Sequence, residues 1–375
     1  MSTAAQHLTS RSSPPSARYA PIERLLARAT HEVRVLSVLT PTDAQPERAR
    51  LIAELRAGRP ASPRWTYAPR PHDELRRALD AAESILERGE LAPIETLFLE
   101  RARELGLEAA MCAHAGRPEL ARLARARFEP SVPRVARAAS QLCADWLAEA
   151  SGSAVGPHRR SNDPDPRSLL SLMREAVGRL RLPFRVVESP WLAPLAATGE
   201  RVILVATDRL VTDEDARRTV LHEIEGHARP RAQSIHAPSA LFRIGTARGT
   251  DDQEGRAVLL EERAGLLGPR RRRQLAARHR AVEAMLAGAS FADVARQLVS
   301  GCGLEPVDAI IVAERAFRGS DGTHPGLGRE RVYLESLVRV REHLAARPQD
   351  DAIMASGQIG VASLEALRAH LATDC

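Results

Sequence analysis

The sequence reads as an α+β chain that is predominantly α-helical, and three observations carry that reading. Apolar residues recur at spacings of three and four through most of its 375 residues, the period of an amphipathic helix. Only two runs, Phe184-Arg-Val-Val187 and Arg201-Val-Ile-Leu-Val-Ala206, have the β-branched composition and turn-residue borders of strands. Soon after the second run comes His222-Glu223-Ile224-Glu225-Gly226-His227, two imidazoles with a carboxylate directly after the first and another before Gly226, on one helical stretch. A small sheet beside such a stretch places a metal-dependent catalytic lobe at residues 168–346, preceded by a helical N-terminal region at 21–150.

Composition narrows the function classes. With 44% hydrophobic and 27% charged residues the chain is an ordinary globular protein. Its net charge is +6 and its pI about 9.8, but all 54 basic residues are Arg, which reads as a compositional bias. A nucleic-acid footprint requires clustering on one face, so nucleic acid is not an expected partner. Cys112, Cys143, Cys302 and Cys375 lie far apart without CxxC spacing. That argues against a disulfide framework and a Cys-type zinc site, and suits the cytoplasm. No run approaches the roughly 18 apolar residues of a membrane span.

Residues 1–20, rich in Ser, Pro, Thr and Ala and lacking the apolar core of a signal peptide, are expected to form a flexible leader. From 22 to 147 the pattern is helical, with Ile22, Leu25 and Leu26 on one face and Leu75, Ala78, Ala82, Ile85 and Leu86 on another. Breaks at 41–46 and 58–71 divide it, and Trp65 and Tyr67 in the second break are read as pinning a loop to the helical core. Helices are expected near 94–113, 118–128 and 132–150. Residues 151–167, with alternating Pro and Asp, form a linker and domain boundary.

A helix at 168–180 opens the second half. The strand at 201–206 stands before the metal helix, where its edge is expected to be free for an extended peptide. Thr212-Asp-Glu-Asp215 caps the next helix, whose stripe is Ala216, Val220 and Ile224. Thr250-Asp-Asp-Gln253 reads as a capping box, which puts Glu254 in the first turn of a helix reaching about residue 267, with Glu261 on the same face. Between them, 230–249 is a connection. Further helices are expected at 273–287, 291–300, 306–318 and 329–346, then a helical tail at 347–375. The Arg270 to Arg273 run reads as a solvated loop or a helix start. The 319–328 loop carries His324, taken as a surface residue.

The histidine spacing constrains the site. Residues five apart sit about 140° apart on a regular helix, so His222 and His227 cannot share an ion unless the backbone changes. Either the helix widens to i→i+5 bonding or it ends between them. Gly226 permits a change of backbone angles and Pro230 marks a helix end, so a distorted last turn at 225–228 is expected. His222, His227 and Glu254 are the expected metal ligands, and zinc suits a His₂Glu set with an open fourth position. Glu261 is placed to support a ligating His. Glu223, adjacent to a ligand, is the expected general base toward water, and Glu225 is expected at the surface.

These motifs, together with Gln253-Glu-Gly255, Arg315-Ala-Phe-Arg-Gly319 and Arg329-Glu-Arg-Val-Tyr-Leu334, resemble the zinc tyrosine carboxypeptidase family of microtubule-associated type (MATCAP). Its bacterial relatives are also labelled flavohaemoglobin-expression-modulating proteins with a QEGLP motif. The likeness runs from about Leu36, where Leu-Ser-Val-Leu-Thr-Pro stands, to about His343. It implies a zinc metallocarboxypeptidase of HExxxH type acting on a peptide or protein C-terminus that ends in Tyr or Phe. It implies that Tyr333 donates to the oxyanion, and that Arg318, Arg315 and Arg329, in that order, are candidates for gripping the free carboxylate. Two positions depart from the family pattern. Arg256 stands where a Leu is expected, a cation that would favour an acidic peptide, and Arg329-Glu330 replaces Lys-Asp. The alternative function is a non-catalytic zinc-binding regulatory or interaction protein of the same fold. The intact Glu223 argues against it, because a scaffold needs no base beside its metal.

Overall fold

The computed structural model describes residues 19–88, 90–130, 132–150 and 157–373. The leader through residue 18, part of the expected linker (151–156) and Cys375 lie outside the described residues. Helix occupies 64% of the residues and strand 5%, so the chain is predominantly α-helical with a small sheet.

Among the described residues seven helices build the first part: α1 (Ala20–Glu32), α2 (Val35–Val38), α3 (Ala44–Arg56), α4 (Asp73–Leu86), α5 (Pro93–Ala113), α6 (Glu119–Phe128) and α7 (Pro133–Ala148). Prolines open α5 and α7, where a missing amide costs no hydrogen bond. Pro46 falls inside the start of α3, so the first break is shorter than 41–46. In α4 Leu75 faces the core and Leu86 packs against it as expected, whereas Leu79 is buried in addition and Ile85 is 66% exposed. Trp65 meets Phe291 edge-on with ring centroids 5.2 Å apart, and Tyr67 Oη donates to the Ser320 carbonyl at 2.8 Å, which pins the loop as expected.

The second part begins with β1 (Arg159–Arg160) and α8 (Leu169–Arg179), the latter capped by Ser168 Oγ accepting from Ser171 N. Strands β2 (Arg185–Ser189), β3 (Ala196–Thr198) and β4 (Val202–Ala206) form a sheet of order β2-β4-β3, and β5 (Leu210–Val211) pairs with β1. Strand β2 runs parallel to β4, and β3 runs antiparallel to it. The strand expected to offer a free edge is therefore the central one. The chain doubles back through β3 and covers it, leaving β3 itself as an edge. Ala196, Ala197 and Thr198 have little β-branched character to announce a strand.

The remaining helices are α9 (Asp213–Leu221), a π-helix (His222–Ala228), α10 (Arg229–Ser234), α11 (Leu241–Ile244), α12 (Gly249–Arg263), α13 (Pro269–Leu286), α14 (Phe291–Cys302), α15 (Pro306–Ala316), α16 (Val332–Ala346), α17 (Asp351–Met354) and α18 (Leu364–Thr373). The largest apolar cluster joins Leu26, Leu79 and Phe98 of the first part to Val258, Leu334, Leu337 and Leu367 of the second. A separate cluster under the sheet combines Met173, Ile203 and Val205 with Ile224 and Ala228 of the π-helix. The π-helix is thus fixed by the sheet on one side. Burying one such aliphatic side chain stabilises by about 1.5–3 kcal/mol. No described helix is long and apolar enough to cross a membrane.

Candidate metal centre

The metal helix starts from a strong cap. Thr212 Oγ1 accepts from Asp215 N at 3.1 Å and Asp215 reaches back to Thr212, so α9 is set by a capping box. It runs without a break into the π-helix, where Arg229 N donates to the Ile224 carbonyl, an i→i+5 bond. That bonding returns His222 and His227 to one side, with ring centroids 5.0 Å apart. The widening begins at His222 itself, earlier than the expected 225–228.

Two expectations about this segment change. Pro230 does not end the helix, since α10 continues to Ser234 with the proline in its first turn. In the i→i+5 pattern the Glu225 carbonyl would pair with the amide that Pro230 lacks, and Arg256 Nη1 donates to that carbonyl instead, at 3.2 Å. Arg256 is further held by Asp351, at 2.8 Å, so its charge serves the helix and is not free for an acidic peptide. Gly226 keeps φ negative. Its requirement is space, because a Cβ there would lie 2.6 Å from the Ala257 Cβ.

Helix α12 also starts differently from the expectation. Arg248 occupies the N-cap in a left-handed conformation and the helix begins at Gly249, so Thr250 is no cap. Asp251 and Asp252 are buried, and each is neutralised by a distant guanidinium: Arg127 at 2.9 Å and Arg339 at 2.8 Å. These ties fix the turn that presents Gln253 and Glu254. At Gly255 a side chain would collide with the Ser336 backbone, so α12 and α16 approach closely there.

Glu254 Oε2 lies 3.4 Å from His222 Nε2 and 3.6 Å from His227 Nε2. One ligand atom from each of the three residues falls within 4.8 Å of the others. Tetrahedral zinc with bonds of about 2.1 Å requires ligand atoms roughly 3.4 Å apart. The other ring nitrogens are engaged elsewhere: His222 Nδ1 with Glu261 Oε1 at 2.7 Å, His227 Nδ1 with Gln253 Oε1 at 2.9 Å. Arg271 grips Glu261 through two bonds of 2.9 Å, and Arg329 Nη2 donates to Glu254 Oε1 at 3.1 Å. Glu254 Oε2 is buried and has no hydrogen bond. The residues present therefore fit a divalent cation of zinc's size.

Protonation follows the same geometry. Burial works against a charge on His222, yet the neighbouring carboxylates of Glu254 and Glu261 push it up to about 9. Burial opposes ionisation of Glu254 too, but His227, His222 and Arg329 hold it well below the usual carboxylate range. Ligation requires a neutral imidazole and an ionised carboxylate, so metal uptake at such a set is coupled to proton release.

Glu223 is buried, and Thr198 Oγ1 of β3 donates to its Oε2 at 2.8 Å. Glu225 is partly exposed and paired with Arg229 at 2.9 Å. Tyr333, on α16, is buried; Arg315 Nη2 donates to its Oη at 3.3 Å and the Arg278 guanidinium lies 5.0 Å from its ring centroid. Arg315 also pairs with Glu330 at 2.9 Å. Arg318 has no ion-pair partner among the described residues, and burial together with Arg315 lowers its pKa. His324 is exposed and paired with Asp321 at 3.2 Å.

The fold brings His222, His227 and Glu254 together with Glu223 beside them. Gln253, Arg271, Thr198 and Arg278 contact His227, Glu261, Glu223 and Tyr333 respectively; the sequence marks Gln253 through its Gln253-Glu-Gly255 motif, while Thr198 and Arg278 carry no signal. Arg271 stands in a run of four arginines and opens α13 as a helix start, buried rather than solvated.

A family model described as microtubule-associated tyrosine carboxypeptidase matches residues 55–375, most of the chain. The match begins after Leu36 and runs past His343, so the C-terminal tail lies inside the likeness. No curated protein matches the chain.

Proposed function

The chain belongs to the microtubule-associated tyrosine carboxypeptidase family, and from that premise we propose that it is a zinc-dependent metallocarboxypeptidase working in the cytoplasm. It hydrolyses the last bond of a peptide or protein that ends in a Tyr- or Phe-like residue. The observation that carries this reading is the buried, unbonded Glu254 Oε2 flanked by two imidazole nitrogens.

His222, His227 and Glu254 would hold zinc, which when bound would supply Lewis acidity toward the scissile carbonyl and lower the pKa of a water toward about 7. Glu223 takes the proton as the water oxygen bonds to the carbonyl carbon, and returns it to the amine as the C–N bond breaks. Tyr333 donates to the oxygen that gains charge, its hydroxyl oriented by Arg315 and its ring by Arg278. Arg318, the one candidate guanidinium without a described carboxylate partner, receives the substrate's terminal carboxylate through two parallel bonds. Arg315 and Arg329, the other two candidates, steady Glu330 and Glu254 at its side.

The test is zinc analysis of the full chain alongside incubation with peptides ending in Tyr, Phe, Glu or Arg, for wild type and Glu223→Ala. Zinc in both proteins with cleavage lost in the variant is the expected result. Zinc without cleavage of any peptide would leave a metal-binding regulatory protein, and absence of zinc would overturn the centre itself.

A further inference from the structure

Thr198 joins two features that are otherwise separate. Its side chain holds the carboxylate of Glu223, with Oγ1 at 2.8 Å from Oε2 and 3.3 Å from the Glu223 carbonyl. Nothing else hydrogen-bonds that carboxylate among the described residues. Its backbone, meanwhile, lies on the open side of the sheet. Ala206 N donates to the Leu195 carbonyl at 2.9 Å and Gly199 N to the Val202 carbonyl at 2.7 Å. Residues 195 and 199 therefore face β4. Antiparallel ladders alternate, so Ala197 faces β4 as well, and the N–H and C=O groups of Ala196 and Thr198 point away from it. Among the described residues no strand pairs with that side.

We propose that Thr198 is a positioning residue that couples occupation of the β3 edge to the orientation of Glu223, an inference that rests on the peptidase reading above. A substrate backbone laid along β3 bonds to Ala196 and Thr198 and fixes the Thr198 main-chain angles. Those angles set where Oγ1 sits, and Oγ1 sets which Glu223 oxygen is left to take the water's proton. With Oε2 engaged by the hydroxyl, Oε1 is that oxygen. Binding energy from residues upstream of the scissile bond is thereby expressed in turnover and not only in affinity.

The experiment compares kcat and KM of the zinc-loaded full chain for wild type, Thr198→Val and Thr198→Ser. Two substrates share one terminal residue, a dipeptide and a peptide long enough to reach Ala196. Wild type turns over the longer peptide faster. Thr198→Val lowers kcat by about 10- to 100-fold, the effect of a hydrogen bond to a charged group, and the advantage of the longer peptide disappears while zinc content stays equal. Thr198→Ser, which keeps the hydroxyl, restores both. A Val variant with wild-type kcat, one that keeps the length advantage, or one that loses zinc would overturn the proposal, as would a Ser variant as slow as Val. Failure of the peptidase reading is distinct, since wild type would then cleave neither substrate.

Discussion

Leaving a buried carboxylate oxygen without a hydrogen bond costs about 1–3 kcal/mol or more, and Glu254 Oε2 is such an oxygen beside two imidazoles whose outer nitrogens are already engaged. A cation explains the whole arrangement at once. The chain from Arg271 through Glu261 to His222 fixes the ring and, with Nδ1–H donating to Glu261, leaves the Nε2 lone pair to bind a cation. Glu261→Gln is therefore expected to weaken zinc binding by about 10- to 100-fold, as loss of an outer partner does. Competition with a chelator of known affinity measures this, and an unchanged affinity would refute the role given to Glu261. Much at this scale was legible. Glu261 follows Glu254 by two helical turns, so its face could be read from spacing. Thr198 could not, because its function comes from a hairpin that folds it onto a residue 25 positions away.

At the scale of elements the decisive feature is the π-helix. The five-residue spacing of His222 and His227 required some departure from regularity, and its kind came from what surrounds it. Ile224 and Ala228 anchor the segment to the sheet, Gly226 lets it close on Ala257, and Arg256 caps the carbonyl that Pro230 leaves open. None of these partners can be identified from local pattern, which is why Gly226 reads as a flexible point and Pro230 as an end. Gly226→Ala is expected to push the π-helix away from α12, lowering stability by about 1–3 kcal/mol and weakening zinc binding. Adding Ala257→Gly makes room again and recovers part of the affinity, although glycine inside α12 itself costs about 1 kcal/mol. Denaturant melts and metal titrations of the single and double variants read this out; a double variant no better than the single would show that the clash is not the cause.

Across the whole molecule, the site depends on elements remote from it in sequence. Arg127 of α6 neutralises Asp251, Arg339 of α16 neutralises Asp252, and Asp351 holds Arg256. The segment after α16 is part of this frame: Ile359, Leu364 and Leu367 are buried in the main cluster, and the Gln358 amide lies 3.5 Å from Gln253 Oε1. The helical class, the small sheet and the ligand set were accessible from periodicity and motif. The sheet order was not, because a three-residue strand of Ala, Ala and Thr carries no pattern of its own, and neither were the long-range ion pairs in a chain whose cations are all Arg. Whether His222, His227 and Glu254 hold zinc is read by X-ray absorption at the zinc edge of the purified full chain. About one zinc per chain is expected, in a shell of two imidazole nitrogens and one carboxylate oxygen at about 2.0–2.2 Å, lost in His222→Ala. A shell containing sulfur, or a chain that takes up no zinc, would contradict it.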